Sequence, residues 1–343
     1  MASVNHENVL RLREVVHSPR KRESAPRSGR VCIIFQMNFQ RFQPPKPVAA
    51  SEHNRLKGDV YLVFEFMDYD LGGLLNKNIE FTVPEIKCLS KQLFSGLHYL
   101  AVNKILHRDL KVANILLNRR GILKIADFGE SRRDPLQKEN LRDPIPPTES
   151  HLQGPHPTNR TPSSHSPGMA RKTDVSGRYT QRVCTRWYRA PELLLGLRYY
   201  TAVIDVWSAG CILGELFTGS PILPGGVDGA TTEQEHDIDQ FREICKMCGT
   251  PDVEEWSFQS TDKLNPMPPR HELLREEPVM MPKTKYPNVI KQFFDKYSKH
   301  KCPETVDLLL GLLEMHPDKR MTAQAALDHK FFWSEPFPCQ PRE

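Results

Sequence analysis

Eight of the chain's 29 prolines fall between Pro135 and Pro167, in a stretch otherwise rich in Ser, Thr, His and Asn. Proline fixes φ and removes a backbone donor, so this density excludes both a regular helix and a paired strand. The stretch also has too little apolar surface to offset the entropy of ordering. It reads as a disordered loop. Whatever folds is built from the sequence on either side and joined across this loop.

The 343 residues suffice for one large domain or two modest ones with a buried core. Hydrophobic residues make up 38% and charged residues 26%, as in ordinary soluble proteins. No apolar run approaches the roughly 20 residues that cross a bilayer, so no membrane association is expected. The opening MASVNHENVL has neither a basic start nor a long apolar stretch, so no signal peptide is expected. A net charge of +5 is too diffuse to argue for direct nucleic-acid binding. The cysteines sit mostly inside apolar runs, as core residues of a reducing compartment do. Cys245 and Cys248 form a C-x-x-C, but a zinc site needs a second ligand pair at short range. Their setting, DIDQFREICKMCGTP, has helical spacing, which makes them helix core.

Residues 9–16, VLRLREVV, alternate as a short strand does, and 60–66, VYLVFEF, form a stronger strand bounded by Gly58 and Asp59. Between them lies an apolar run, VCIIFQMNFQRF, flanked by basic and Pro-rich sequence. No packing partner for it is evident from the sequence. Thr82 and Glu85 form a capping box that opens a helix over 82–102, with Ile86, Leu89, Leu93, Leu97 and Leu100 at helical spacing. ILHRDLKVANILL reads as strand, loop and strand, and LKIADFG follows it. Further helices are expected over 202–218, 234–248, 304–314 and 322–329. A few strands followed by many helices imply an α+β fold with a helical main lobe.

His107-Arg108-Asp109-Leu110-Lys111-Val112-Ala113-Asn114 matches H-R-D-x-x-x-x-N, Asp127-Phe128-Gly129 follows it, and Ala190-Pro191-Glu192 comes after the Pro-rich loop. A lone D-F-G is a weak signal, but the three motifs in this order resemble the protein kinases. Phosphoryl transfer asks a protein to position groups and neutralise charge. Asp109 fits the carboxylate that orients an acceptor hydroxyl and takes its proton. Lys111, two residues on, is a point charge within reach of a transferred phosphate. Asn114 and Asp127 are oxygen ligands for Mg2+, alongside the phosphates of ATP. Taken singly, each of these residues could equally be a solvated loop residue.

RYTQRVCTRWYRAPE over 178–192 resembles the activation segment of the cyclin-dependent kinases. HENV, NRLKGDVYLVFEF, EIK, KILHRDLK and HKFFWSEPFP resemble the transcription-elongation branch that pairs with cyclin T. The likeness runs from about His6 to Pro338. It implies a protein-kinase-like fold and a proline-directed serine/threonine kinase, acting in transcription, that needs a cyclin and phosphorylates Ser-Pro and Thr-Pro sites. A nuclear location follows from the same resemblance, with the cytoplasm as the other option. By that resemblance Thr180 is the activating phosphothreonine, clamped by Arg108 and Arg132. Glu65 and Met67 occupy the hinge that binds adenine through backbone groups, Phe64 is the gatekeeper, Leu116 is the floor under the base, and Asp70 faces the ribose. Asp205 resembles the buried aspartate bracing the catalytic loop, and Glu192 with Arg320 a buried ion pair.

Departures from the family pattern are also plain. Within this sequence no Gly-rich loop, strand lysine or αC glutamate precedes the first strand, so an N-terminally incomplete kinase is expected. Residues 1–64 read as a remnant of the small lobe with an insertion at 17–57. Residues 65–336 read as the large lobe with a disordered activation-loop insertion at 133–177, and 337–343 as a tail. Thr161-Pro162 and Ser166-Pro167 in that insertion are themselves targets for a proline-directed kinase. Glu130 stands where relatives place Leu, beside Asp127 or turned to solvent. Two readings follow: an enzyme whose natural chain is longer, or an inactive kinase lobe that scaffolds or competes for substrates or cyclin.

Overall fold

The structure is a computed structural model that describes residues 4–19, 34–36, 58–133, 186–196, 200–225, 232–252 and 281–341. The Pro-rich insertion and Thr180 lie outside them, as do Cys184 and most of 17–57. The architecture is α+β.

Strand β1 (Leu12–Pro19) pairs antiparallel with β3 (Gly58–Phe64), Leu12 opposite Phe64 and Pro19 opposite Gly58. A short β2 (Ile34–Gln36) pairs with the other edge of β3, Ile34 opposite Val63. The sequence offered the 17–57 segment no partner. The structure corrects this for 34–36, because β3 has a second edge whose N–H and C=O groups need partners. The first strand also starts three residues later than 9–16 implied. Val9 and Leu10 are buried elsewhere: Val9 forms an isolated parallel bridge with Ile125. The β3 strand ends at Phe64, so Glu65 and Phe66 belong to the connection that follows.

Among the described residues two further sheets complete the β structure. β4 (Tyr69–Asp70), β6 (Ile115–Leu117) and β7 (Leu123–Ile125) form one, with β6 in the middle. β5 (Ile105–Leu106) and β8 (Arg132–Arg133) form the other, Leu106 opposite Arg132.

Helix α1 (Leu71–Asn76), absent from the sequence reading, is started by Asp70, whose carboxylate accepts from Gly73 N at 2.6 Å. Helix α2 (Val83–Val102) begins where the capping box placed it. Thr82 donates its N–H and its hydroxyl to the Glu85 carboxylate, each at 2.8 Å. Its buried face carries Ile86, Leu89, Leu93, Leu97 and Leu100. After α3 (Pro191–Leu194), helix α4 (Val203–Thr218) is buried on all sides from Ile204 to Phe217, as a helix at the centre of a lobe must be. It stops at Gly219, whose φ of 78° suits a residue without Cβ and whose N–H reaches Glu215 O at 2.7 Å. Helices α5 (Glu233–Cys248), α6 (Ile290–Tyr297), α7 (Pro303–Leu312) and α8 (Ala323–Leu327) pack around it. α6 had no counterpart in the sequence reading. Cys245 and Cys248 are buried in α5, and burial pushes the Cys245 thiol up to about 12. Among the described residues no group of three His, Cys, Asp or Glu is placed to hold a metal, and no helix is long and apolar enough to cross a membrane.

One ion pair ties α3 to the far end of the chain. Arg320 donates from both terminal nitrogens to the Glu192 carboxylate at 2.7 and 2.9 Å, with 0% and 1% of the side chains exposed. The guanidinium also bonds Glu314 O, Val203 O and Met315 O, so its donors are satisfied inside the core. Removing one partner strands a buried charge, and such losses are large. Arg320→Ala is expected to lower unfolding stability by about 3–5 kcal/mol. Chemical denaturation checks this; a loss no larger than that of an exposed surface pair contradicts the buried geometry.

Candidate active site

The segment between β5 and β6 holds four of the polar side chains that the sequence singled out: Arg108, Asp109, Lys111 and Asn114. His107 N and Arg108 N, on consecutive residues, both donate to the carboxylate of Asp205, at 2.8 and 2.9 Å. Asp205 lies in the first turn of α4 and is almost wholly buried. Burial pushes its pKa above the usual carboxylate value, with His107, Arg108 and the two N–H donors pulling it back. Arg108 takes φ 71°, a left-handed conformation that costs a non-glycine residue roughly 1–2 kcal/mol. The pair of bonds to Asp205 holds it there. His107 accepts from Asp109 N at 3.3 Å through Nδ1, which leaves Nε2 as the donor to Ala126 O at 2.8 Å. Its ring meets Phe128 edge-on at 4.9 Å between centroids.

Asp109, Lys111 and Asn114 converge. Lys111 Nζ lies 2.8 Å from Asp109 Oδ2, and Asn114 Nδ2 donates to Asp109 O at 2.7 Å and to Oδ2 at 3.3 Å. The amide of Asn114 therefore turns its oxygen away from Asp109. Asn114 O accepts from Ala126 N at 2.9 Å, which brings the residue before Asp127 against it. Asp127 is exposed, has φ 60° and accepts from Gly129 N at 3.3 Å. The four residues read from the motifs thus lie together at the ends of β6 and β7.

The remaining sequence-derived residues divide. Leu116, on β6 opposite Asp70, packs with Met67, Phe64, Ala126 and Leu10 in a small apolar cluster separate from the main core. Glu65 bonds Lys124 at 3.0 Å and accepts from Arg11 N at 3.1 Å. Asp70 uses a carboxylate oxygen to start α1. Arg108 Nε donates to Glu130 O at 2.6 Å, and Arg132 sits on β8 opposite Leu106, two residues before Arg108. Glu130 is 62% exposed and lies 3.9 Å from the Arg108 guanidinium. It turns towards solvent and that arginine.

Some residues of the site gave no local signal in the sequence. Asn8 donates to Gln92 Oε1 at 3.1 Å and to Leu123 O at 3.0 Å, fixing the N-terminal segment to β7. Asp237 on α5 pairs with Arg189 at 2.7 Å and Arg186 at 3.3 Å. Each depends on residues far apart in the chain, so spacing alone does not reveal it.

The protein kinase domain family matches residues 1–143 and 167–332. The chain belongs to the protein kinase family. Cyclin-dependent kinase C-1 of Oryza sativa subsp. japonica is 34% identical over 343 residues, covering 100% of this chain and 50% of that protein. Cyclin-dependent kinase 9 of Danio rerio is 39% identical over 290 residues, 84% of this chain and 63% of that one. The crystal structure of the yeast RNA Pol II CTD kinase CTDK-1 complex aligns at TM-score 0.62 and 28% identity, over 99% of this chain and 80% of its own. The chain spans about half the length of the first relatives it matches.

In this fold the buried Asp205 is the most exacting test of the loop. Asp205→Asn keeps the shape but turns an NH2 group towards one of the two backbone donors. The expected loss is about 1–3 kcal/mol for the unsatisfied bond, read as a lower unfolding temperature. A variant as stable as the parent contradicts the double acceptor role.

Proposed function

We propose that the protein is a proline-directed serine/threonine kinase of the cyclin-dependent type, moving the γ-phosphate of ATP to Ser-Pro and Thr-Pro sites of protein substrates. The observation that carries this reading is the cluster of Asp109, Lys111 and Asn114 held against the residue before Asp127. Asp109 takes the proton of the acceptor hydroxyl as its oxygen attacks phosphorus, and Lys111 holds both that carboxylate and the transferred phosphate. The Asp127 carboxylate and the Asn114 amide oxygen are hard donors, the kind that suits Mg2+, and would hold it there. When bound, Mg2+ supplies charge neutralisation on the phosphates. Leu116 and Met67 would offer apolar surface to adenine, the backbone at Glu65 and Met67 would bond its edge, and Asp70 would serve the ribose.

The same reading makes Thr180 the regulatory phosphosite, with Arg108 and Arg132 as its charge partners. It also implies a cyclin partner and a nuclear location. The apolar cluster around Leu116 is equally good core, and the two roles are compatible.

In the native protein with its cyclin, Asp109→Asn is expected to lower kcat by about 10²–10⁴-fold. Asp127→Asn is expected to weaken Mg2+ dependence and turnover together. Near-normal labelled-phosphate transfer by either variant contradicts the assignment. Peptides with Pro after the acceptor are expected to react faster than those with Ala, since the segment ending at Arg189 resembles a pocket for a residue without a backbone N–H. Equal rates contradict the proline-directed reading.

A further inference from the structure

The chain after the short turn Lys330–Phe332 runs back along the N-terminal half of α2. Lys87 is fully buried there, donates to Ser334 O at 2.8 Å, and stands 5.0 Å above the Phe331 ring. Lys91, one turn on, stands 4.4 Å above Trp333. Further along, Cys339 N donates to Pro84 O at 3.1 Å. In an α-helix that same carbonyl is the acceptor for the N–H four residues on, which is Cys88. Two nitrogens that share one acceptor oxygen are at most about 6 Å apart, on the scale a disulfide spans. Cys88 and Cys339 also line the same cavity of about 350 Å3, with Phe81, Leu89 and Leu117.

The two thiols differ in the way a reacting and a resolving cysteine differ. Cys339 is exposed and Cys88 is buried. Burial pushes the Cys88 thiol up to about 11, and the neighbouring Cys339 thiol adds to the shift, so Cys88 stays protonated near neutral pH. Gln92 Nε2 lies 3.4 Å from Cys88 Sγ and holds it in place.

We propose that Cys88 and Cys339 are a modification site: a reversible disulfide, formed on exposure to a peroxide, that staples the C-terminal segment to α2. The Cys339 thiolate attacks one oxygen of hydrogen peroxide, forming the S–O bond of a sulfenic acid and expelling hydroxide. The Cys88 sulfur then attacks the Cys339 sulfur; the S–O bond breaks, and the departing hydroxyl takes the Cys88 proton as water. Two thiols are oxidised and one peroxide is reduced to two waters.

Treating the full native chain with hydrogen peroxide, alkylating free thiols and mapping tryptic peptides without reductant tests this. The expected product joins residues 88–91 to residues 331–342 and disappears on adding dithiothreitol. In Cys88→Ser, which removes the resolving sulfur only, dimedone is expected to trap Cys339 as its sulfenic acid. The proposal is overturned if wild-type Cys88 stays alkylatable while Cys339 goes on to sulfinic acid, or if Cys339 pairs only between chains. Failure of dimedone to label Cys339 in Cys88→Ser also overturns it. Kinase activity enters none of these readouts, so their outcome is separate from that of the proposed reaction.

Discussion

The carboxylate of Asp205 holds the geometry of the site together. Burial makes its charge costly, yet it receives two backbone N–H groups from His107 and Arg108 and sits in the first turn of α4, where the helix dipole favours a negative group. Each bond to an ionised acceptor is worth roughly 1.5–3 kcal/mol. Together they exceed the roughly 1–2 kcal/mol of left-handed strain at Arg108. The strained residue sets the direction in which Asp109 leaves the loop. Asp205 is in turn positioned by α4, whose first turn is fixed because Arg320 bonds Val203 O while pairing with Glu192. A cation deep in the lobe thus governs a carboxylate at the surface of the loop.

The other motif depends on a different anchor. Asp127 follows β7, and β7 has little sheet of its own, with β6 on one side only. The N-terminal segment supplies the other side. Ile125 N donates to Asn8 O, Leu10 N donates to Ile125 O, and the Asn8 side chain bonds Leu123 O and Gln92. Gln92 also accepts from Leu123 N and donates to Gly121 O and Cys88 Sγ, so a single α2 side chain serves four partners. A polar network like this favours one register of β7 and excludes slippage. His6 Nδ1 accepts from Asn8 N at 3.0 Å and Glu7 O from Lys124 Nζ at 2.7 Å, so both bear on that register although they are far from Asp127 in sequence.

Much of this was legible in the sequence, and the gaps have physical causes. The helix opened by Thr82 and Glu85 was placed to within a residue, because capping and the apolar spacing are local signals. The convergence of Asp109, Lys111 and Asn114 was expected from a single motif spanning eight residues. Boundaries failed where burial divides a run of apolar residues between two partners. Val9 and Leu10 look like the first residues of a strand, but they serve β7 and the Leu116 cluster, and the strand proper starts at Leu12. Helix α6 escaped because its sequence, IKQFFDKY, is only eight residues long and three of them are charged. Asn8, Gln92 and Asp237 escaped because their partners lie tens of residues away, where no periodicity reaches.

Helix α4 carries more than the loop. Ser208 Oγ donates to Tyr188 O at 2.7 Å, and Tyr188 donates its hydroxyl to Glu215 at 2.6 Å. Burial raises the pKa of Glu215, and the Tyr188 bond draws it back. Asp205, Ser208 and Glu215 therefore present to two different segments from one buried helix: the loop with Asp109 and the stretch 186–189 that precedes Ala190-Pro191-Glu192. Under the proposed reaction the first handles the acceptor hydroxyl and the second the residue after it. A peptide reacts only if its hydroxyl and its following residue are placed together, and misplacement by about 1 Å costs on the order of 10²-fold in rate. Mounting both on one helix with no exposed side makes their separation a property of the core, insensitive to the surface connections between them.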